Sequence, residues 1–293
     1  MSSWEEIANE VVPANAPVRG LATGAHRKSE GAREGARIVP PFKKHVVVAP
    51  DCGPDAPLQI VLQGDNRETE NGAFFHVARD AKEFHENYFD LQKLLGGAVD
   101  IVAQKTRAKI GAEDLLFLDI ETTGLSSSVP LFLIGSLHAG KTSSGSQLEL
   151  FLARTQREER AAIADFLKLV EGKTLVSFNG KSFDWPFIEG RALRHGLKIP
   201  APRAHFDLLH LARSKWKTQV PNCRLQTLEY YLCGRIREGD VASSKIPDQY
   251  WEFSEIYEAS GLGAHLMTPI VHHNTWDVLT MADLLRRAQQ SSP

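Results

Sequence analysis

The sequence predicts an α/β fold: a mixed β-sheet flanked by helices, with a small β-rich N-terminal appendage. Three observations carry this prediction. Apolar runs "LLFLDIE", "PLFLIGSLHA" and "QLELFLA" follow one another with short polar connections, which reads as an antiparallel meander beginning at Leu115. Helical apolar spacing then alternates with a further strand, "TLVSFN", from Thr174. Strands followed by alternating helices indicate a mixed sheet covered by helices.

In chain order, Trp4 to Val12 has the spacing of a short amphipathic helix. Residues 1–45 read as a flexible basic segment. Between Arg19 and His45 stand Arg19, Arg27, Lys28, Arg33, Arg37, Lys43 and Lys44, against only Glu30 and Glu34. Residues 46–110 read as a small accessory region. It has strands at "HVVVAP", "LQIVLQ" and "GAFFHVA", with "GDNRETENG" as a hairpin connection and a helix at "FDLQKLLGGAVDIVAQK" interrupted by Gly96 and Gly97. Residues 111–293 form the main domain. Thr155 and Glu158 have capping-box spacing for the helix "QREERAAIADFLKLVEG". A helix from Trp185 to His195 is closed by Gly196. "HFDLLHLARSKWK", "LQTLEYYLCG" and, from His273, "HNTWDVLTMADLLRRAQQ" supply the remaining helices.

Composition excludes several classes. The chain has 293 residues with a formal net charge of −2, so it lacks the overall basic signature of a protein that coats DNA. No apolar run approaches the roughly 20 residues a membrane-spanning helix needs, and "MSSWEEIANEVV" lacks the apolar core of a signal peptide. Cys52, Cys223 and Cys233 form no Cys-x-x-Cys pair, which points to a reducing cytoplasm rather than a disulfide framework or zinc knuckle. There is no Walker loop, and "GLGAHL" lacks the third glycine of a dinucleotide fingerprint.

Chemistry centres on four acids. Asp119 and Glu121 end a buried strand, and residues two apart on a strand share a face. Two like charges there are costly unless a cation lies between them. Asp184 follows the fourth strand in "SFNGKSFDWPF", and Asp277 lies in the last helix in "HHNTWDVLTM". Carboxylates without a matching Cys or His cluster suit a hard ion, Mg²⁺ or Mn²⁺. Such a site can hold two divalent ions about 3.5–4 Å apart, activating water and stabilising the leaving oxygen of a phosphodiester.

"DIETTGL", "FNGKSFD" and "HHNTWD" resemble, in order, the three motifs of the DEDD (DnaQ-like) 3′–5′ exonucleases, which share the RNase H-like fold. The spacing of "FDLLHLARSKWK", "CRLQTLEYYLCG" and "HNTWDVLTMADLL" is closer to the YprB-like branch. The resemblance runs from Leu115 to about Leu285. It implies metal-dependent removal of nucleotides from the 3′ ends of single-stranded DNA or RNA. Asp119, Glu121, Asp184 and Asp277 would be the metal ligands, with Asp119 bridging. The backbone around Thr122 and Thr123 would hold the terminal nucleotide, and Leu125 would pack against its base. Asn179 and Phe183 would shape the site around Asp184. One subclass has a His five residues before the last Asp, here His272; another has a Tyr four before it, here His273. Residues four apart share a helical face, so His273 is assigned as the general base.

Each acid also has an ordinary reading. Asp184 before Trp185 and Pro186 suits a helix N-cap, and Asp277 suits a solvated helix face. Asp207 suits a cap as well. "RSKWK", with Arg224, offers a phosphate grip with Trp216 stacked on a base, or simply a solvated helix end. The alternatives to an exonuclease are a catalytically idle RNase H-like module that binds nucleic acid or a partner, and an endonuclease of the same fold.

Overall fold

The structure is a computed structural model that describes residues 38–41, 44–85, 88, 90–140, 142 and 145–290. The Trp4–Val12 helix and nearly all of the basic segment lie outside the described residues. Among these residues, a seven-stranded mixed sheet has the order β2-β3-β6-β5-β4-β7-β8. Its strands are β2 (Asp65–Thr69), β3 (Gly72–Asp80), β4 (Leu115–Thr122), β5 (Leu131–Ala139), β6 (Ser146–Leu152), β7 (Thr174–Ser177) and β8 (Ala204–Asp207). β4, β5 and β6 form the expected antiparallel meander, and β7 and β8 join β4 in parallel. A separate parallel pair joins β1 (His45–Val48) to β9 (Arg235–Glu238).

β4 explains why its sequence is apolar almost throughout. Leu116, Leu118 and Ile120 enter one core cluster, while Leu115 and Phe117 enter another on the opposite face. A strand covered on both faces needs apolar residues at every position, not at alternate ones. Asp119 and Glu121 continue the Leu115/Phe117 face. That face is covered by the last helix, whose Trp276, Val278 and Leu279 belong to the same cluster.

Several elements differ from the sequence expectation. "LQIVLQ" is a short helix, α1 (Leu58–Leu62), and not a strand. The stretch expected as a hairpin connection instead supplies β2, which pairs with β3, leaving a tight turn at Gly72 with φ +115°. The β2–β3 hairpin joins the main sheet through β6, so the sheet runs across residue 110. Gly96 and Gly97 split the expected helix into α2 (Leu91–Leu95) and α3 (Ala98–Thr106).

Thr155 makes no side-chain cap, because helix α4 (Glu159–Val170) follows a 3₁₀ turn and Glu158 bonds Arg154 instead. Helix α5 is Asp184–Arg194, with Gly196 at φ +66° beyond it. "HFD" closes β8, and helix α6 (Leu208–Trp216) begins after it. Trp216 is 2% exposed, so it packs in the core and presents no stacking surface. After helix α7 (Leu225–Leu228), Glu229–Cys233 winds as a π-helix, a form frequent beside functional sites.

Two features had no sequence signal strong enough to place them. Helix α8 (Ile246–Ser260) packs Tyr250 face to face on Phe132, with ring centroids 3.8 Å apart. The last helix, α9, spans Ala264–Gln290, beginning nine residues before the expected start at His273. Pro269 lies inside it and removes one helical hydrogen bond, yet Met267, Ile270 and Val271 are buried and hold the turn in place. No helix among the described residues is long and apolar enough to cross a membrane.

Candidate active site

The fold brings the four acids together from three elements. Asp119 and Glu121 stand on β4, Asp184 opens α5 directly after the β7 strand and its turn, and Asp277 faces them from α9. Asp184 is the first helical residue, while Phe183 takes the cap position. A close approach of α9 to the sheet makes the meeting possible. Gly135 lies opposite Asp119 on β5, and a β-carbon there would sit 2.0 Å from Asn274 Oδ1. That clearance lets Asn274 Nδ2 donate to Asp119 Oδ2 at 2.8 Å. Gly135→Ala is therefore expected to push Asn274 and α9 outward, costing about 1–3 kcal/mol of stability as overpacking does. Urea denaturation checks this, and an unchanged midpoint would show that the helix sits less tightly.

Asp119, Glu121 and Asp184 resist ionisation. Asp119 is held well above the usual carboxylate range, first by burial and then by Asp277, Asp184 and Glu121. Burial chiefly raises Glu121 to about 8, with Asp277 adding to the shift and His273 and Asn274 opposing it. Asp184 rises to about 7, again chiefly through burial, although the backbone N–H groups of Asp184 and Ile120 pull it down. Such mutual shifts mark carboxylates that share one space.

His273 faces these acids. Its Nδ1 lies 2.9 Å from Asp240 Oδ1, so Nδ1 carries a proton for the carboxylate to accept, and its Nε2 lies 3.6 Å from Asp277 Oδ2. Burial alone would depress its pKa, but Asp277, Asp240 and Glu121 overcome that and raise it to about 9. His272 has a different setting. Its ring meets Trp276 edge-on at 6.3 Å, its buried Nε2 has no hydrogen-bond partner, and burial lowers it to about 4.

The expected substrate residues flank Glu121 and Asp184 in the chain. A β-bulge follows Glu121, and the Thr122 hydroxyl donates to the Gly124 carbonyl at 2.7 Å. The Thr123 N–H donates to the Pro130 carbonyl at 3.0 Å, and Leu125 is 91% exposed on the loop beyond. Asn179 adopts φ +69°, the left-handed region that Asn tolerates better than most residues, and its N–H donates to Asp207 Oδ1 at 2.9 Å. Asp207 also accepts from Lys181 N and caps α6 through Leu209 N, so it ties down the loop leading to Asp184. Phe183 packs on Phe187 at 5.5 Å.

Sequence reasoning missed Asn274, Arg237 and Asp240 as parts of this site. The clearest signal was "RIREGD", where Arg235 and Arg237 occupy the same face of a strand. Arg237 Nη2 reaches Asp277 Oδ1 at 2.7 Å. Among the described residues, no three His, Cys, Asp or Glu side chains stand converged as a ready ligand set for one ion. Asn274 and Arg237 engage Asp119 and Asp277 instead. The donor set still suits a hard cation: four carboxylates that repel one another when ionised, with Asn274 Oδ1 buried and lacking a hydrogen-bond partner.

A mixed sheet flanked by helices, with acids gathered at the end of a central strand, defines an RNase H-like α/β domain. The chain belongs to the RNase_H superfamily, whose model matches residues 116–289. It is 34% identical over 175 residues to the uncharacterized protein YprB of Bacillus subtilis (strain 168), a match covering 58% of this chain and 41% of that protein. The chain thus spans less than half the length of that curated relative. Among solved structures it is similar to E. coli Exonuclease I in complex with a dT13 oligonucleotide, at 16% identity and a TM-score of 0.34, covering 56% of this chain and 42% of the other. It is also similar to the family B DNA polymerase of Pyrobaculum calidifontis, at 18% identity and a TM-score of 0.36, covering 59% of this chain and 27% of the other.

Proposed function

We propose that this protein is a metal-dependent 3′–5′ exonuclease that hydrolyses single-stranded nucleic acid, DNA or RNA. One observation carries the reading: Asp119, Glu121 and Asp184, from two separate elements, are buried together and held above the usual carboxylate range, with Asp277 from a third element adding to each shift. A binding or scaffold module gains nothing from that arrangement, which costs stability. Bound among the acids, Mg²⁺ or Mn²⁺ ions would supply the charge that activates water and stabilises the leaving oxygen.

The chain's own residues do the rest. His273 Nε2 takes the proton of the attacking water, while Asp240 holds the ring by its other nitrogen. Two of the three carboxylates that raise the His273 pKa, Asp277 and Glu121, are ones whose charge a cation would offset. The Thr122–Thr123 backbone, Leu125, Asn179 and Phe183 line the approach of the terminal nucleotide.

The test is incubation with 5′-labelled single-stranded DNA and RNA, with Mg²⁺, Mn²⁺ or EDTA. A metal-dependent ladder shortening from the 3′ end is expected, and internal cuts would replace this reading with an endonuclease.

Metal should also change the pH dependence of stability. Glu121 and Asp184 have folded pKa values of about 8 and about 7, raised from 4.5 and 3.8. Groups raised on folding contribute stability that is fully present below the unfolded value and lost as pH rises through the folded one. The metal-free protein therefore loses stability from these acids as pH climbs through about 7–8. A cation that replaces the protons should raise Tm more at pH 8 than at pH 6. Equal shifts at both pH values in a thermal melt with Mg²⁺ would reject proton displacement.

A further inference from the structure

The contacts of Arg237 are arranged around the two site residues of α9. Its side chain, on β9, is 4% exposed. Nε donates to Glu229 Oε2 at 2.7 Å, and Nη1 donates to the His273 carbonyl at 3.1 Å. Nη2 stands 2.7 Å from Asp277 Oδ1, and Nη1 is 3.8 Å from Asp240 Oδ2. One guanidinium thus touches the carboxylate of Asp277, the backbone of His273 and the acid that orients the His273 ring.

Glu229 keeps this cation in place. Its second oxygen accepts from Arg235 Nη1 at 2.9 Å and from the Thr280 hydroxyl at 2.7 Å, so both of its oxygens are occupied. Arg237 cannot shed its charge, and its planar fork is anchored by the hydrogen bonds of Nε to Glu229 and Nη1 to the His273 carbonyl, which leaves Nη2 at Asp277. Asp277 Oδ1 thus stands in charge contact with Arg237, outside hydrogen-bond geometry for either atom, while Oδ2 lies 3.6 Å from His273 Nε2.

We propose that Arg237 is a positioning residue that fixes Asp277 as a one-oxygen ligand, holding Oδ1 so that Oδ2 alone is offered to a divalent ion. The proposal rests on the metal-dependent reading above. Outer-shell partners that orient ligating side chains are worth about 10–100-fold in metal affinity. A lysine at 237 would keep the charge but lose the fork, and could not hold Glu229, the His273 carbonyl and Asp277 together.

The experiment is calorimetric titration of the full chain with Mn²⁺, without nucleic acid, comparing wild type with Arg237→Lys, Asp119→Ala and Phe166→Leu. Phe166 is a buried core residue that makes no part of the site, so Phe166→Leu reports the effect of lost stability alone. Arg237→Lys is expected to weaken Mn²⁺ binding about 10–100-fold while Phe166→Leu leaves it unchanged. Unaltered or tighter binding by Arg237→Lys would overturn the proposal, since Arg237 would then be a bystander or a competitor of the ion. Equal weakening in Phe166→Leu would overturn it too, reducing Arg237 to a structural ion pair. If Arg237→Lys does not fold, Glu229→Gln takes its place, releasing the Nε anchor while sparing all four acids, with the same outcomes. Absence of Mn²⁺ binding by the wild type would instead remove the metal-dependent reading itself.

Discussion

Asp119→Ala is expected to abolish cleavage of a 5′-labelled single strand while raising the melting temperature of the metal-free protein. The two effects have one cause. Asp119 sits among Asp277, Asp184 and Glu121, which together with burial hold its carboxyl well above the usual range. Removing it relieves that repulsion, so the metal-free fold gains stability. The same removal takes away the acid that the family resemblance makes the bridging ligand, and loss of a single electrostatic contact in a transition state already costs about 10²–10³-fold in rate. An end-labelled gel and a thermal melt on the same preparation check both halves. Full activity in the variant would sink the catalytic assignment. Lost activity with a lowered melting temperature would mean that Asp119 holds the fold together, chiefly through Asn274.

Glu229→Ala is expected to cost about 3–5 kcal/mol, the range for breaking a buried ion pair on one side. Glu229 is 2% exposed and receives both Arg235 and Arg237, at 2.9 and 2.7 Å. Asp283 still partners Arg235 in the variant, but the nearest remaining acids of Arg237 are site acids, Asp277 and Asp240. At about 2–4 °C per kcal/mol for a chain of this size, Tm should fall by roughly 6–20 °C. The more exposed pair Arg79–Glu83 offers a contrast, since removing an ion pair of that kind costs about 1 kcal/mol or less. A loss below 1 kcal/mol in Glu229→Ala would mean that water reaches the two guanidinium groups.

Much of the fold was legible because its central strands are short, separate apolar runs. The meander from Leu115, the strand at Thr174 and the helix after Asp184 follow from periodicity and turn residues. The N-terminal region misled for a physical reason. "LQIVLQ" has strand composition, but only Leu58 and Leu62 are buried, four residues apart, which is the spacing of one helical face. "DNRET" is polar because β2 is an edge strand, exposed except at its end, and it pairs through its backbone. The start of α9 was hidden by Pro269, which local rules place at a helix boundary and which packing overrides here.

The sequence by itself determined which residues could carry chemistry. Asp119 and Glu121 share a face by strand alternation, and His273 and Asp277 share one by helical spacing, relations that need no knowledge of the fold. Only the tertiary structure decided what those groups meet. Asn274 reaches Asp119 because Gly135 has no β-carbon, and Arg237 on β9 reaches Asp277 on α9 across 40 residues of chain. The division has a physical basis. The direction of a side chain from its own backbone is set by local dihedral angles, whereas its partners depend on which distant surfaces burial of apolar area brings together.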